Sequence, residues 1–366
     1  MVVVVPVDRD EDEAQQVDGE LREKRPEIAE LVPGRRVQVE HHDRDHHSEH
    51  GIAERLETIA THGSNLLLPM RTPQGGIFAL GTASHAYLEF AAAPGRAAEL
   101  VAAIAALREP RTTMGGVNLV VGFKPSLWAE VVPEDAPGGL SDFDDELVGP
   151  DGFVIPATQH DAVLWLSGSA YDVVFECARN AIAELSELGT VVEETSSWPY
   201  MHDRDLTGFI DGTENPTLIE APEFALIPEG EPGGSGTILL LQKWEHDVHM
   251  WESLSVAEQE AVIGRLKPDS TEIEDKPENS HVASTDQDRF GKIFRRNMPY
   301  GTVTSHGTMF VGFSADQKRL SDMLIGMAGL GDGPRDALTR FTRPLTGAYY
   351  FVPAADSLRR FIPEEE

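Results

Sequence analysis

From Leu66 onward, short apolar runs with the two-residue period of a strand alternate with longer runs that follow the period of a helix. HAYLEF (His85 to Phe90) and GVNLVVGF (Gly116 to Phe123) read as strands. Between them, Arg96 to Arg108 carries Leu100, Ile104 and Leu107 at helical spacing and stops before Pro110. An acidic loop rich in Pro and Gly, Pro133 to Pro156, leads to a strand at Ala162 to Ser167 and a helix at Tyr171 to Leu188, for which Gly189 predicts a left-handed C-cap. The order then recurs as strand Thr237 to Trp244, helix Val256 to Ile263, strand Thr308 to Phe313, helix Ala315 to Ala328 and strand Ala348 to Pro353. Ser255 with Glu258 makes a capping-box pattern ahead of the helix that Gly264 ends. The trios Val121-Gly122-Phe123 and Val311-Gly312-Phe313 fall at what read as matching points of two halves. A repeated α+β unit is the expectation.

The first sixty residues break this pattern, being charge-dense and poor in large apolar side chains. Asp12 to Leu31 reads as a short helix interrupted at Pro26. His41, His42, His46, His47 and His50 have spacings that suit a divalent metal, yet the interleaved Asp43, Arg44 and Asp45 favour a solvated tail. The expected division is an N-terminal extension over 1–60, one domain over 61–203 and a second over 204–366.

Charge narrows the function classes. Thirty Lys and Arg against 62 Asp and Glu give a formal net charge of -32, a field that repels phosphate backbones and anionic lipid surfaces, so nucleic acid and membrane are not expected partners. Such acidity fits solvated acidic loops, with a high-salt habitat as the alternative. Cys177 is the sole cysteine, which excludes an intramolecular disulfide, an iron–sulfur cluster or a cysteine-built zinc site and fits a reducing cytoplasm. The apolar start, Met1 to Val5, is far shorter than a secretory core and runs into Asp8, Asp10 and Glu11.

Two polar, turn-rich segments carry the candidate chemistry: GFIDGTENP (Gly208 to Pro216) and SHVASTDQDRFGKIFRRNMPYG (Ser280 to Gly301). Asp211-Gly212-Thr213 is not an aspartyl-phosphate loop, because position 209 is Phe, and it reverses the Gly-Thr order of an aspartic protease. By itself Asp211 reads equally well as an Asx turn. GFIDGTENP resembles the Gly-x-x-Asp-Gly signature of dye-decolourising peroxidases. The similarity continues in order through QKWEHD (Gln242 to Asp247), DKPENSHV (Asp275 to Val282), RRNMPYG (Arg295 to Gly301) and DALTRFTRPLTGAYYFVP (Asp336 to Pro353), and upstream to PQGGI (Pro73 to Ile77). It covers nearly everything from about residue 65 and is nearest the short, cytosolic B-type members.

The resemblance implies an α+β fold of two ferredoxin-like halves packed face to face, with haem b in the C-terminal one. It implies His281 as the iron ligand, Asp336 as the carboxylate behind it, Asp211 and Arg295 as the pair on the open side, and Asn297 as a further polar group there, with Arg295 also touching the cofactor. Arg296 is expected to solvate or meet a propionate. The implied reaction is reduction of hydrogen peroxide to water with one-electron oxidation of aromatic or dye-like donors. A haem-binding or iron-release protein with incidental peroxidase activity is the alternative. A homo-oligomer is expected, and the end at PEEE, soon after the last strand, counts against encapsulation. Trp128, Trp165, Trp198, Trp244 and Trp251 are candidate electron relays, each read first as packing.

Overall fold

The computed structural model describes residues 71–108 and 116–362. The expected N-terminal extension, with its histidine stretch, lies outside the described residues. The first half of the described chain contributes β1 (Ser84–Ala92), α1 (Ala97–Ala106), β2 (Val117–Phe123), β3 (Ala162–Gly168), α2 (Tyr171–Leu185) and β4 (Gly189–Ser197). The second contributes β5 (Thr237–His246), α3 (Val256–Ile263), the one-turn helix α4 (His281–Ser284), β6 (Met298–Gly301), β7 (His306–Ser314), α5 (Gln317–Met327) and β8 (Ala348–Val352).

Pairing gives both halves the same order, fourth–first–third–second strand: β4-β1-β3-β2 in one and β8-β5-β7-β6 in the other. This is the ferredoxin-like arrangement. The halves join at two narrow seams, Phe351 opposite Phe123 between β8 and β2, and Ser197 opposite Tyr300 between β4 and β6, so the strands close into a ring. The duplication does not extend to the two Val-Gly-Phe trios. One lies in the second strand of its half and the other in the third, and Gly122 faces Tyr350 and Val163 whereas Gly312 faces Phe310 and Leu320.

Closure explains why β1 reads as a continuous run: its first seven residues are all buried, one set facing the ring interior and the other the helices. Outside, Leu88, Phe90, Leu164 and Leu166 pack under Leu100, Ile104 and Leu185. Each fully buried side chain of this size contributes about 1.5–3 kcal/mol. Inside, Tyr87, Val163, Trp165, Leu239, Val311 and Tyr350 form a second core.

Helix α3 has the predicted capping box and ends at Gly264 in the left-handed region, φ 91°. Gly189 does not cap its helix. Instead α2 stops at Leu185 and Gly189 opens β4, where a side chain would meet the carbonyl oxygen of Ala91 at 2.7 Å. The strand it opens, GTVVEETSS, has an alternating burial pattern.

The ring interior also holds charge. Tyr350 donates to the carboxylate of Glu89, 2.5 Å away, and Lys243 Nζ donates to Glu193 at 2.7 Å. Burial raises Glu89 to about 7, with Glu193 adding and the Tyr350 hydrogen bond opposing. Between about pH 4.5 and 7 the folded protein therefore keeps a proton that the unfolded chain has released, so this contribution to stability is present at low pH and is lost as pH rises through about 7. Glu89→Gln is expected to flatten that slope by about 3 kcal/mol between pH 5 and pH 8, measured as the variant-minus-parent difference in urea unfolding; parallel curves would contradict the assignment.

Candidate functional site

A cavity opens in the C-terminal half between the outer face of β5 and β7 and the helices that cover it. Leu240, Trp244 and Phe310 form the sheet wall, and Ile263, Leu320 and Leu324 the helical wall. Its empty volume, counted out through the mouth into open solvent, is about 1240 Å³.

His281 enters the cavity from the first position of α4. Ser280, fully buried, caps that helix by accepting from the Ala283 N–H at 3.4 Å. The imidazole Nδ1 meets Asp336 Oδ2 at 2.7 Å, and the other carboxylate oxygen accepts from the Leu338 N–H at 2.8 Å. Asp336 has no exposed surface, while His281 keeps a quarter of its side chain open on the cavity it lines. Burial works against a charged ring, but Asp336 outweighs it and the pKa of His281 is raised. With Nδ1 engaged, Nε2 is the nitrogen left to act as a donor.

The loop bearing Asp211 is entered through three successive non-glycine residues in left-handed conformation, Met201, His202 and Asp203, with φ 40°, 55° and 67°. Such residues cost of order 1–3 kcal/mol each and persist only where their surroundings hold them. Arg204 does so, donating to the carbonyls of Gly208, Lys267 and Pro268. Asp211 N donates to Asp203 O at 2.7 Å, and Asp211 Oδ1 accepts from the Gly212 N–H at 2.7 Å. That bond goes to the next residue and not two residues on, so it is not the Asx turn expected, and the same side chain lines the cavity.

Arg295 and Asn297 reach the same cavity from the break between the short strand Phe294–Arg295 and β6. Asn215 fixes the backbone of Arg295 reciprocally, its Oδ1 accepting from the N–H and its Nδ2 donating to the carbonyl, both at 2.9 Å. Arg295 Nε is buried with no protein partner among the described residues. Asn297 Nδ2 contacts Asp211 Oδ1 at 3.4 Å while its Oδ1 accepts from the Val311 N–H at 3.0 Å.

The five expected residues are therefore brought together, but Arg296 is not among them. It points the opposite way, into the ring, where it is 3% exposed, donates to the carbonyls of Ile77 at 2.9 Å and Ala79 at 2.7 Å, and lies 5.0 Å over the Trp165 ring. Those partners inside the ring exclude the expected propionate contact.

Sequence reasoning missed Asp205 and Arg265, which also line the cavity. Burial pushes Asp205 up to about 6, with the charge of Asp211 adding and hydrogen bonds from Thr207 opposing. Arg265 is bound by Glu214 and, at 3.1 Å, by Glu272. The apolar walls, a histidine with one free nitrogen and an unpartnered guanidinium nitrogen fit a flat, largely apolar iron macrocycle with a polar chamber beside it.

Residues 202–357 match the family described as Dyp-type peroxidase, C-terminal. A dye-decolorizing peroxidase of Brevibacterium linens is 36% identical over 252 residues, covering 66% of this chain and 68% of that one. One of Mycobacterium tuberculosis is 37% identical over 253 residues, covering 66% and 75%. A DypB variant of Rhodococcus jostii solved in complex with heme superposes with TM-score 0.68 at 30% identity, covering 80% and 98%. The encapsulated DyP-type peroxidase of Mycobacterium smegmatis gives 0.70 at 31%, covering 81% and 100%.

Truncating Asn297 to Ala would leave the buried Val311 N–H without its acceptor. A loss of about 1–3 kcal/mol is expected in urea unfolding, and a variant as stable as the parent would show that the amide does not complete the sheet.

Proposed function

The chain belongs to the dye-decolourising peroxidase family, and from that premise we propose how its own residues perform the reaction. It is a haem peroxidase that reduces hydrogen peroxide at the expense of an electron donor. Bound haem supplies the iron at which peroxide is activated. His281 would hold that iron through Nε2, and Asp336, by accepting the Nδ1 proton, would fix the tautomer, the ring orientation and the donor strength.

On the open side, Asp211 carries a proton from one oxygen of peroxide to the other, so that water rather than hydroxide leaves. Arg295 stays charged and offsets the negative charge that builds on the departing oxygen. Asn297 holds Asp211 in place, and Asn215 holds Arg295. The observation that carries the reading is the hydrogen bond between His281 and Asp336 in the cavity that Asp211 and Arg295 also line.

The reading includes aromatic or dye-like donors, a homo-oligomer and a division into halves at 61–203 and 204–366. Cytoplasmic placement is supported by the single cysteine, Cys177. Among the described residues no helix is long and apolar enough to cross a membrane.

His281→Ala is expected to abolish the histidine-ligated haem spectrum, and Asp336→Asn to weaken haem affinity about 10–100-fold; a parent-like optical titration in either would remove that assignment. Asp211→Asn or Arg295→Leu should slow the reaction with peroxide by about 10²–10⁴-fold in stopped flow while haem remains bound. Unchanged rates in both variants would sink the proton-transfer scheme.

A further inference from the structure

In the sequence the five tryptophans are equivalent, but the fold separates them. Trp165 lies under the Arg296 guanidinium, 5.0 Å from its ring, and a cation there disfavours removal of an electron from the indole. Trp128 stacks on Phe123 in the N-terminal half. Trp198 is 38% exposed and Trp244 lines the cavity, but neither meets another ring among the described residues.

Trp251 connects two spaces. On one side its ring meets Phe209, a cavity wall, edge to face with centroids 6.4 Å apart; on the other it meets Phe341 at 5.5 Å and 72°. Phe341 lines an outer groove together with Phe153, Pro344, His249 and His306. His246 and Thr342 line both the cavity and the groove, so a single layer of side chains divides them. Trp251 itself is 6% exposed, and its indole N–H donates to the Thr207 carbonyl at 3.1 Å, in the loop that carries Asp211. Lys267 stands 5.6 Å over the Phe209 ring, not over the indole.

We propose that Trp251 relays electrons one at a time from a phenol or arylamine held in the outer groove to the haem cavity. The inference rests on the peroxidase reading and adds to it the site where the donor is oxidised. Reduction of one peroxide to two waters takes two electrons and two protons. Trp251 gives up one electron inward and is refilled from a donor, which releases its proton to water in the open groove; two donors leave as radicals for each peroxide. The indole keeps its proton on Nε1, because a carbonyl oxygen is too weak a base to take it. Phe209 and Phe341 carry no charge of their own and fill the gaps on either side.

The test uses the haem-loaded full chain, peroxide, a nitroso spin trap and peptide mass mapping. With no donor present, the parent should acquire a spin adduct on the peptide containing Trp251, and 3,3′,5,5′-tetramethylbenzidine should suppress it. Trp251→Phe preserves the ring stack but not the oxidisable indole. It should lose the adduct and lower kcat for that donor about tenfold or more with little change in KM, whereas Trp251→Tyr should restore most of the turnover. Trp198→Phe should behave as the parent. The proposal is overturned if the parent consumes peroxide without marking Trp251, or if the Phe and Tyr variants turn over the donor equally. Failure of the parent to consume peroxide would instead overturn the peroxidase reading, and the relay with it.

Discussion

Asp336 is a carboxylate with no access to water, and the site is organised around making that tolerable. An isolated buried carboxylate costs several kcal/mol, so it persists only where both oxygens find donors. One donor is the Leu338 N–H, in the turn that Asp336 itself caps, and the other is the His281 imidazole. The two segments are tied again by the Ala337 N–H donating to the Asn279 carbonyl at 2.8 Å, one residue before the serine that caps the histidine's helix. Ring orientation is therefore dictated by the fold's need to satisfy a buried acid. The free imidazole nitrogen faces the cavity as a consequence of folding.

A second constraint runs through residues 295–297. Arg295 and Asn297 go to the cavity and Arg296 into the ring, so anchoring the middle residue helps to fix its neighbours. The anchor belongs to the other half of the molecule: backbone carbonyls of Ile77 and Ala79 and the face of Trp165. Burial lowers Arg296 to about 10, which still leaves it charged near neutrality. Among the described residues no carboxylate pairs with it, and carbonyl dipoles and an aromatic face offset its desolvation instead. The N-terminal half, which contributes none of the proposed catalytic side chains, thereby sets the position of the arginine that does.

Strands buried along most of their length were visible as apolar runs, and β1, β2, β3, β5, β7 and β8 were all found with ends shifted by at most two residues. The strands that were missed have the opposite character. In β4, Glu193 and Glu194 interrupt the apolar signal and Gly189 reads as a stop; β6 is four residues long and contains Pro299. Local pattern could not have paired His281 with Asp336 across 55 positions, and only the ordered family motifs brought them together. Asp205 and Arg265 had no local signal at all, because their place in the cavity comes from how the 200–216 loop crosses the 264–272 segment.

The acidic exterior bears on what can reach the two spaces. A formal charge of -32 repels anions, whereas hydrogen peroxide is uncharged and its entry is indifferent to that field. An anionic hydroperoxide arriving from solution would face the surface charge and then the carboxylates of Asp211 and Asp205 in a low-dielectric cavity. Taking the neutral molecule and moving its proton only inside, onto Asp211 and beside Arg295, avoids both penalties. At the groove the distant charges are screened within about 8 Å at physiological ionic strength, so local groups decide. Arg343 is paired with Glu245 at 2.6 Å, and Asp247 accepts from the Met250 N–H at 3.0 Å, while Arg340 has no partner among the described residues. These charges nearly cancel, and what remains is an aromatic and proline-lined surface suited to a neutral ring. That is the kind of molecule whose electron, not whose body, has to cross to the iron.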